Sequence, residues 1–382
     1  MDQFLQQTIN GIQQGSIYAL IALGYTMVYG VLGLINFAHG DVFMIGSFVG
    51  FYAARAMRLS EKATFGEAML ALVPVLLITM VVCAALGLLI ERLAYRPLRK
   101  STTFLVPMAC IGPLLYGALV LRQFGTVPPL TAFITPWKVL LILTAIFATI
   151  GFVVDRFVRP APAGASRLTA LITAIGVSLL LANGAQLLFG AEPKFYPSVT
   201  PQGVASTVKL GNVTMAKDQM VLVGAAIVLM GILWYIVNRT KVGQAMRAVQ
   251  HDTQAAALMG INVDGVIAFT FGLGAALAGA AGMLFGAFTY AQVFPLLGVQ
   301  MGLKAFVAAV VGGIGSIPGA VVGGLLMGIS ESFVKGAPKV MLPGGIPFEP
   351  SRFTDAVAFV LLIVILLLRP AGLLGKFAPE KV

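Results

Sequence analysis

The stretch AMLALVPVLLITMVVCAALGLLI, residues 68–90, contains no Lys, Arg, Asp or Glu. Residues 168–191 and 219–238 form two more uncharged runs of similar length. A helix needs about 20 predominantly apolar residues to cross the hydrocarbon core of a bilayer, and each of these runs is long enough. They therefore predict membrane-spanning helices, and the fold class that they indicate is an all-α, polytopic membrane protein.

The composition of the whole chain agrees with a lipid environment. Of its 382 residues, 59% are hydrophobic and only 10% are charged, and the mean hydropathy is +0.96. A soluble domain carries about 25% charged residues, so a soluble fold that buries these runs in its core is strongly disfavoured. The net charge of +11 would favour a nucleic acid partner for a soluble protein. Here we expect membrane lipid around the chain and no nucleic acid partner.

Basic residues mark one side of the membrane. They cluster in residues 92–100, 156–167 and 239–247, and loops rich in Lys and Arg lie on the cytoplasmic side. The first basic residue is Arg55, so the N-terminal apolar run lacks the charged start of a cleavable signal peptide. We therefore expect this run to stay in the membrane, with the N-terminus outside.

Residues 101–165 are interpreted as an inserted hydrophobic hairpin. Two apolar spans, near 103–121 and 139–154, are separated by a loop that contains Arg122 and Lys138. A pair of spans returns the chain to the side it left, so the hairpin preserves the topology of the remaining helices.

The polar segment 239–262 lies between two strongly apolar stretches, and its pattern predicts two short helices. Val242, Ala245, Met246 and Val249 recur at helical spacing. Asp252 then caps a second helix over residues 253–259, which ends at Gly260 because glycine readily adopts the left-handed conformation. We interpret this segment as a docking surface for another protein. The alternative is a helix pair that lies flat on the lipid surface.

Two apolar regions are interrupted by glycine. Residues 30–46 contain Asn36-Phe37-Ala38-His39-Gly40-Asp41, and residues 310–324 contain Gly312-Gly313-Ile314-Gly315-Ser316-Ile317-Pro318-Gly319. Backbone freed by a helix break at membrane depth must be buried in protein or face a water-filled cavity. In transporters, paired interruptions of this kind point to the substrate path. The alternative is that each break is a tight turn at the membrane edge. The candidate path residues are Asn36, His39, Asp41, Gly312, Gly313, Gly315 and Pro318.

Individual residues near these breaks have simpler interpretations. Asp41 is expected to cap the following helix. A structural role for His39 is favoured over a proton relay. Glu331 and Lys335 stand four positions apart and are expected to form an ion pair on one helix. Small residues at 278–282 are expected to allow close helix packing, and Phe294-Pro295 to mark a helix end.

Enzyme chemistry finds no support in the sequence. The chain has two histidines, and the dipeptide Gly375-Lys376 is followed by Phe377 rather than by the Ser or Thr of a nucleotide-binding loop. Both cysteines, Cys83 and Cys110, lie in apolar segments without a second ligand at metal-binding spacing. We expect no enzymatic activity, no metal and no cofactor bound by this chain. If transport uses ATP, another chain hydrolyses it.

Several separate motifs resemble the permease subunit of bacterial branched-chain amino acid ABC transporters. They occur in that family's order and cover residues from about 10 to 375. The motifs are YALIALGYTMVYG at 18–30, INFAHGD at 35–41, ERLAYRPLR at 91–99, the segment 239–261, and KAFVAAVVGGIGSIPG at 304–319. The inserted hairpin at 101–165 departs from the family pattern.

The resemblance implies a multi-pass permease of the bacterial inner membrane, formed by residues 1–382 as one transmembrane domain. It would have about ten spanning or half-spanning helices, two of them interrupted by glycine. It would pair with a second, similar membrane subunit, with two cytoplasmic ATPase subunits that use ATP, and with an external solute-binding protein. The ATPases would dock on the segment 239–262 as a coupling loop. The residues assigned to this coupling are Gly243, Met246, Arg247, Ala248, Asp252, Ala256 and Gly260.

The substrates implied by the resemblance are leucine, isoleucine and valine. Related permeases for urea or short amides share the same motifs, so urea or a short amide is the alternative substrate. A stand-alone, ion-coupled secondary transporter is an alternative of another class, but it would leave the basic segment 239–262 without a role.

Overall fold

The computed structural model describes residues 2–58, 64–96, 167–197, 207–210, 213–342 and 346–375. The inserted hairpin predicted at 101–165 lies outside these residues. The described helices, in chain order, are α1 (Asp2–Leu32), α2 (His39–Ala56), α3 (Phe65–Ile90), α4 (Arg167–Phe189), α5 (Lys217–Arg239), α6 (Lys241–His251), α7 (Thr253–Leu258), α8 (Val263–Phe285), α9 (Leu297–Gly312), α10 (Ile317–Lys335) and α11 (Thr354–Leu368).

Short irregular turns extend some of these helices. A π-helical turn, Glu91–Tyr95, continues α3, and a second one, Gly286–Tyr290, continues α8. A 3-10 turn, Pro350–Phe353, precedes α11. The helix ends earlier than predicted at Phe294-Pro295, because Ala291 adopts the left-handed conformation with φ 53°, which a helix cannot continue through.

Three antiparallel ribbons of two strands occur in the segments that connect helices. The strand β1 (Lys194–Phe195) pairs with β4 (Gln292–Val293), and β2 (Thr207–Leu210) pairs with β3 (Val213–Ala216). The third ribbon consists of β5 (Val340–Leu342) and β6 (Ile346–Phe348). They are small additions to a helical protein, and the prediction of an all-α fold is confirmed.

Within the described residues, 7 helices are long and apolar enough to cross a membrane: α1, α3, α4, α5, α8, α10 and α11. The apolar helix α9 is shorter, and α2 packs among the others against α3, α8 and α9. The three uncharged runs correspond to α3, α4 and α5. Arg96, at the end of α3, forms an ion pair of 3.3 Å with Asp264 at the start of α8. The basic end of α3 therefore lies on the same side as the basic segment 239–262 that precedes α8, as the charge pattern predicts.

The helices α1 and α8 form the centre of the subunit. Most of their residues are buried, whereas α3, α4, α5 and α11 expose large apolar side chains such as Leu70, Ile172, Ile227 and Leu367. Lipid tails are as apolar as these side chains, so the exposed faces suit a bilayer and need no protein cover.

Glycines permit the closest helix contacts in this centre. A Cβ at Gly282 of α8 would lie 2.0 Å from the carbonyl oxygen of Phe43 in α2, and one at Gly279 would lie 2.6 Å from the Sγ of Cys83 in α3. The predicted packing role of residues 278–282 is therefore confirmed. Glycines also allow close contact between α1 and α10, since a Cβ at Gly328 would lie 2.4 Å from the Cα of Gly15.

An ionic cluster around the buried Glu331 joins α1, α9, α10 and α11. The fully buried Glu331 lies 3.0 Å from the Nζ of Lys304 and accepts a hydrogen bond of 2.8 Å from the hydroxyl of Tyr18. Lys304 also pairs with Asp355 at 2.6 Å. The predicted partner Lys335 lies at the limit of contact, 4.0 Å from Glu331. A carboxylate inside a membrane protein requires such partners, and sequence spacing alone could not show that the closer one comes from α9.

The packing of α8 yields a stability prediction. We expect Gly282→Ala to destabilise the subunit by about 1–3 kcal/mol, the usual cost of inserting an atom into a packed core. The matched control is Gly231→Ala in α5, where an added Cβ meets nothing within 4 Å. Thermal unfolding in detergent measures both variants, and an equal effect of the two substitutions would contradict the packing described here.

Candidate coupling and gating site

The segment that follows α5 forms the predicted pair of helices. The Thr240 hydroxyl caps α6 by accepting a hydrogen bond of 3.1 Å from the Gly243 amide. The Asp252 carboxylate caps α7, accepting from the amides of Gln254 at 2.8 Å and Ala255 at 2.9 Å. Gly260 has φ +83° and ends the pair. The predicted two-helix form is confirmed, with α7 ending at Leu258, one residue before the expected end.

The face of α6 that meets the membrane helices includes only part of the apolar pattern seen in the sequence. Gly243, Met246 and Val249 are buried, whereas Val242 is 41% exposed. The reason lies in Gly243, because a Cβ there would be 2.2 Å from the Val237 carbonyl oxygen at the end of α5. Glycine allows this close approach, which turns α6 so that Val242 faces outward.

Arg247 forms a hydrogen bond within the chain. Its guanidinium Nη1 donates a hydrogen bond to the carbonyl oxygen of Val237. The last carbonyls of a helix lack partners and carry partial negative charge, so a cation there stabilises the end of α5. Arg247 thereby fixes α6 to the membrane helix that precedes it.

The first break separates α1 from α2. Gly33 has φ +66°, and its amide donates to the carbonyl of Tyr29 at 2.7 Å, which ends α1. The buried Asn36 then shapes the turn. Its Oδ1 accepts from the Ala38 amide at 3.1 Å and from the hydroxyl of Tyr95 at 2.9 Å. The break is thereby connected to the end of α3.

Asp41 does not cap α2, and that prediction is wrong. The cap position is Ala38, without a side-chain hydrogen bond, and Asp41 lies within the first turn. The helix starts earlier because the Asn36 carbonyl accepts the His39 amide at 3.1 Å. Asp41 is 1% exposed, and its Oδ2 accepts a hydrogen bond from the Ser178 hydroxyl of α4. Its Oδ1 has no hydrogen-bond partner among the described residues.

His39 is packed inside the subunit. It is buried, and its ring meets the ring of Tyr25 edge-on with centroids 4.7 Å apart. A Cβ at Gly24 would lie 2.2 Å from its Nε2, and this nitrogen has no hydrogen-bond partner within the described part of the chain. These contacts favour the structural role over the proton relay.

The second break separates α9 from α10. Gly313 has φ +105° and Gly315 has φ +93°, which L side chains rarely adopt. The Ser316 hydroxyl caps α10 by accepting from the Gly319 amide at 3.2 Å, and Pro318 lies in the first turn. Proline fits there because the amide it lacks would have no helical partner.

The C-terminal segment 371–375 completes this second break. The amide of Leu373 donates to the Val311 carbonyl at 2.9 Å, and the amide of Leu374 donates to the Gly312 carbonyl at 2.9 Å. A Cβ at Gly313 would lie 2.3 Å from the amide nitrogen of Gly375. Carbonyls freed at the end of α9 are thus satisfied by protein, and this geometry favours the tight-turn interpretation for Gly312 and Gly313.

Both breaks meet the coupling helices at one cavity of about 380 Å³. A Cβ at Gly30 would lie 3.1 Å from the Nε2 of Gln250, and one at Gly315 would lie 3.7 Å from the same atom. Gln250 therefore stands between the end of α1 and the second break. Sequence reasoning missed this residue, although its position four residues after Met246 indicates the same helical face. The lining residues include Tyr29, Gly33, Val249, His251, Thr253 and Ile314.

Two apolar side chains protrude from the coupling helices. Leu258 is 88% exposed and Met259 is 82% exposed. Both were missed at the sequence level, where they appeared only as the end of a helix. Adjacent exposed apolar side chains of this kind suit a contact either with another protein or with the lipid surface. Among the residues placed by the structure, no group of three or more His, Cys, Asp or Glu is arranged to hold a metal.

The described residues form seven span-capable helices and two broken apolar segments, which together define a polytopic membrane protein, and paired breaks of this kind are typical of transporters. The family described as "Branched-chain amino acid transport system / permease component" matches residues 7–366. The chain belongs to this family of transport components, and it is a multi-pass protein of the inner membrane.

Individual relatives are similar over their whole length. The high-affinity branched-chain amino acid transport system permease protein BraD of Pseudomonas aeruginosa is 35% identical over 380 residues, covering 99% of this chain and 98% of that protein. The corresponding protein LivH of Escherichia coli K12 is 36% identical with the same coverage. A solved chain of PsaBC from Streptococcus pneumoniae in complex with Fab covers 79% of this chain and 89% of its own length, at 13% identity and a TM-score of 0.28.

The second break yields a prediction for the C-terminal segment. In Gly313→Leu, a side chain at φ +105° would collide with Gly375, at a cost of about 1–3 kcal/mol for the backbone strain alone. We expect the segment to detach and chymotrypsin to cleave faster after Leu373 and Leu374 in inside-out vesicles. The control is Gly224→Leu, where an added Cβ meets nothing within 4 Å. Equal cleavage rates in Gly313→Leu and the unmodified protein would contradict this account.

Proposed function

We propose that this chain is the permease subunit of a binding-protein-dependent ABC importer that moves leucine, isoleucine and valine across the inner membrane. Family membership supports the transport role. The substrate class is supported by BraD and LivH, whose descriptions name branched-chain amino acids and which align over nearly all of both chains. The observation that carries the mechanism is the contact of one helix pair with both broken membrane segments.

ATP is hydrolysed by separate subunits in this proposal. Two cytoplasmic ATPases dock on the coupling segment 239–262, and a second, similar permease subunit completes the path. An external solute-binding protein selects the substrate. The chain itself binds no cofactor and acts as a transport component rather than as an enzyme.

The residues assigned to coupling divide into two groups by burial. Gly243, Met246 and Ala256 are buried and hold the helix pair against the membrane helices. Leu258 and Met259 protrude and are the contacts that we assign to the ATPase. A few side chains that become buried against the partner carry most of the binding free energy of an interface. The remaining assigned residues support this arrangement: Arg247 and Ala248 within α6, Asp252 as the cap of α7, and Gly260 as its end.

Motion of the ATPases reaches the membrane through Gln250. When the helix pair is displaced, Gln250 moves relative to Gly30 at the end of α1 and Gly315 in the second break. Helix breaks and element ends absorb backbone rotation in such rigid-body changes. Asn36, His39 and Asp41 at the first break, and Gly315 at the second, are therefore proposed as gating positions of the substrate path. Gly312, Gly313 and Pro318 form the tight turn that positions Gly315.

The docking proposal is tested at the protruding leucine. We expect Leu258→Asp to weaken recovery of the ATPase with the solubilised permease by at least about tenfold, because loss of an apolar hot spot costs about 2 kcal/mol or more. Leu258→Met, which keeps an apolar side chain, is the matched control and should retain the ATPase. Full recovery of the ATPase with Leu258→Asp would show that docking does not use this side chain.

The substrate is tested by uptake into vesicles that contain the complete importer with its binding protein. Labelled leucine should enter in the presence of ATP and should stop entering when ATP is depleted. Labelled urea should not enter at a comparable rate. Uptake of urea but not of leucine would show that the substrate is urea or a short amide rather than a branched-chain amino acid. Leucine uptake that persists without ATP would favour an ion-coupled transporter.

A further inference from the structure

A second cavity, of about 420 Å³, lies at the outer ends of α1, α5 and α10. Every side chain that lines it is polar. Pockets for small ligands start at about 300 Å³ and are mostly apolar, so this lining is unusual. We call it the amide pocket, after the five amide side chains that line it: Gln7, Asn10, Gln13, Gln14 and Gln219.

Hydrogen bonds among its walls leave donor groups for a ligand. The Oδ1 of Asn10 accepts from the Nε2 atoms of Gln6 and Gln219, each at 3.3 Å. The Oε1 of Gln7 accepts from the Ser332 hydroxyl at 2.9 Å, and the Nε2 of Gln7 lies against Gly336. Because the oxygens are engaged, the NH₂ groups of Asn10 and Gln7 are the parts that can donate to an anionic group.

Lys335 supplies a positive charge to the same wall. Its ammonium is half exposed and lies 4.0 Å from Glu331, whereas Lys304 pairs with Glu331 more closely, at 3.0 Å. Glu331 thus has its main partner elsewhere, and Lys335 keeps most of its capacity to bind a carboxylate. A charge-assisted hydrogen bond of that kind is roughly twice as strong as a neutral one.

An acceptor is available on another part of the lining. Gln13 is only 8% exposed, and its Nε2 donates to the Thr289 hydroxyl at 3.4 Å. Its Oε1 can therefore accept from a cationic group of a ligand. A cation and amide donors together with an amide acceptor match a small molecule that carries both a carboxylate and an ammonium group.

We propose that the amide pocket binds the α-carboxylate and α-ammonium groups of an amino acid that arrives from the outer face, before it enters the path between subunits. Lys335, Asn10 and Gln7 bind the carboxylate, and Gln13 accepts from the ammonium. Polar walls replace the water that a zwitterion loses on leaving solution. The apolar side chain of the substrate is not recognised here, so selection stays with the binding protein. This inference rests on the proposed function and adds a site to it.

The first experiment uses Gln14→Cys, which lines the pocket but is assigned no contact with the ligand, as a thiol probe in the complete importer. A membrane-impermeant maleimide added outside should label it, and binding protein loaded with leucine, without ATP, should slow labelling at least about fivefold relative to empty binding protein. Binding protein that shields the pocket by docking alone would slow labelling equally in both states. Equal labelling in both states would overturn the proposal.

The second experiment uses Lys335→Gln and measures leucine uptake together with ATP hydrolysis stimulated by the binding protein. We expect the half-saturating concentration of loaded binding protein for uptake to rise about tenfold, the usual effect of one charged hydrogen bond, while stimulated hydrolysis is retained. The control is Lys339→Gln, since Lys339 is an exposed external lysine that pairs with Glu349 outside the pocket. It should behave like the unmodified importer.

The outcomes separate this inference from the function on which it rests. Normal leucine uptake by both lysine variants would overturn the amide pocket as an amino acid site and leave the importer proposal intact. Absence of leucine uptake in the unmodified importer would overturn the function itself. Protection of Gln14→Cys by urea but not by loaded binding protein would overturn the zwitterion as the ligand.

Discussion

Backbone groups inside a bilayer have no water to bond, and each group left without a partner costs several kcal/mol. This constraint governs both interruptions of the membrane helices. The chain stops α1 at Gly33 and α9 at Gly312, and in each case other protein groups complete the hydrogen bonding. Asn36 does so at the first break. At the second, the amides of Leu373 and Leu374 do so. The partners at the first break are local, whereas the second break depends on a segment about sixty residues further along the chain.

Glycines near the two breaks also allow the helix α6 to approach both of them closely. Gly30 and Gly315 lack side chains on the two sides of Gln250, so α6 approaches both membrane segments directly. Gly243 allows α6 to lie against the end of α5, and Arg247 bonds a carbonyl there. The contacts of α6 with these helices are therefore contacts with backbone, and the proposed coupling would act through them.

The sequence predicted the helices and the residues that cap or end them well, because these features depend on residues that are neighbours in the chain. Uncharged runs located α3, α4 and α5, and Asp252 and Gly260 bound the coupling helix α7 as expected. Predictions were wrong or incomplete where a contact outside the pattern of one helix decided the outcome. Asp41 lies inside a helix that Asn36 starts. The predicted Glu331–Lys335 pair forms, but the closer partner of Glu331 is Lys304 of another helix. Spacing along one helix could not reveal these partners.

The dependence of the second break on the C-terminal segment also bears on the order of biosynthesis. The hairpin of α9 and α10 leaves the ribosome before residues 373 and 374, so the carbonyls of Val311 and Gly312 have no partner when the hairpin first enters the membrane. They must bond water or the insertion machinery until α11 has followed. Assembly of this region is therefore completed only after residues 373 and 374 have been synthesised, and a partner subunit that binds earlier would meet an incomplete surface.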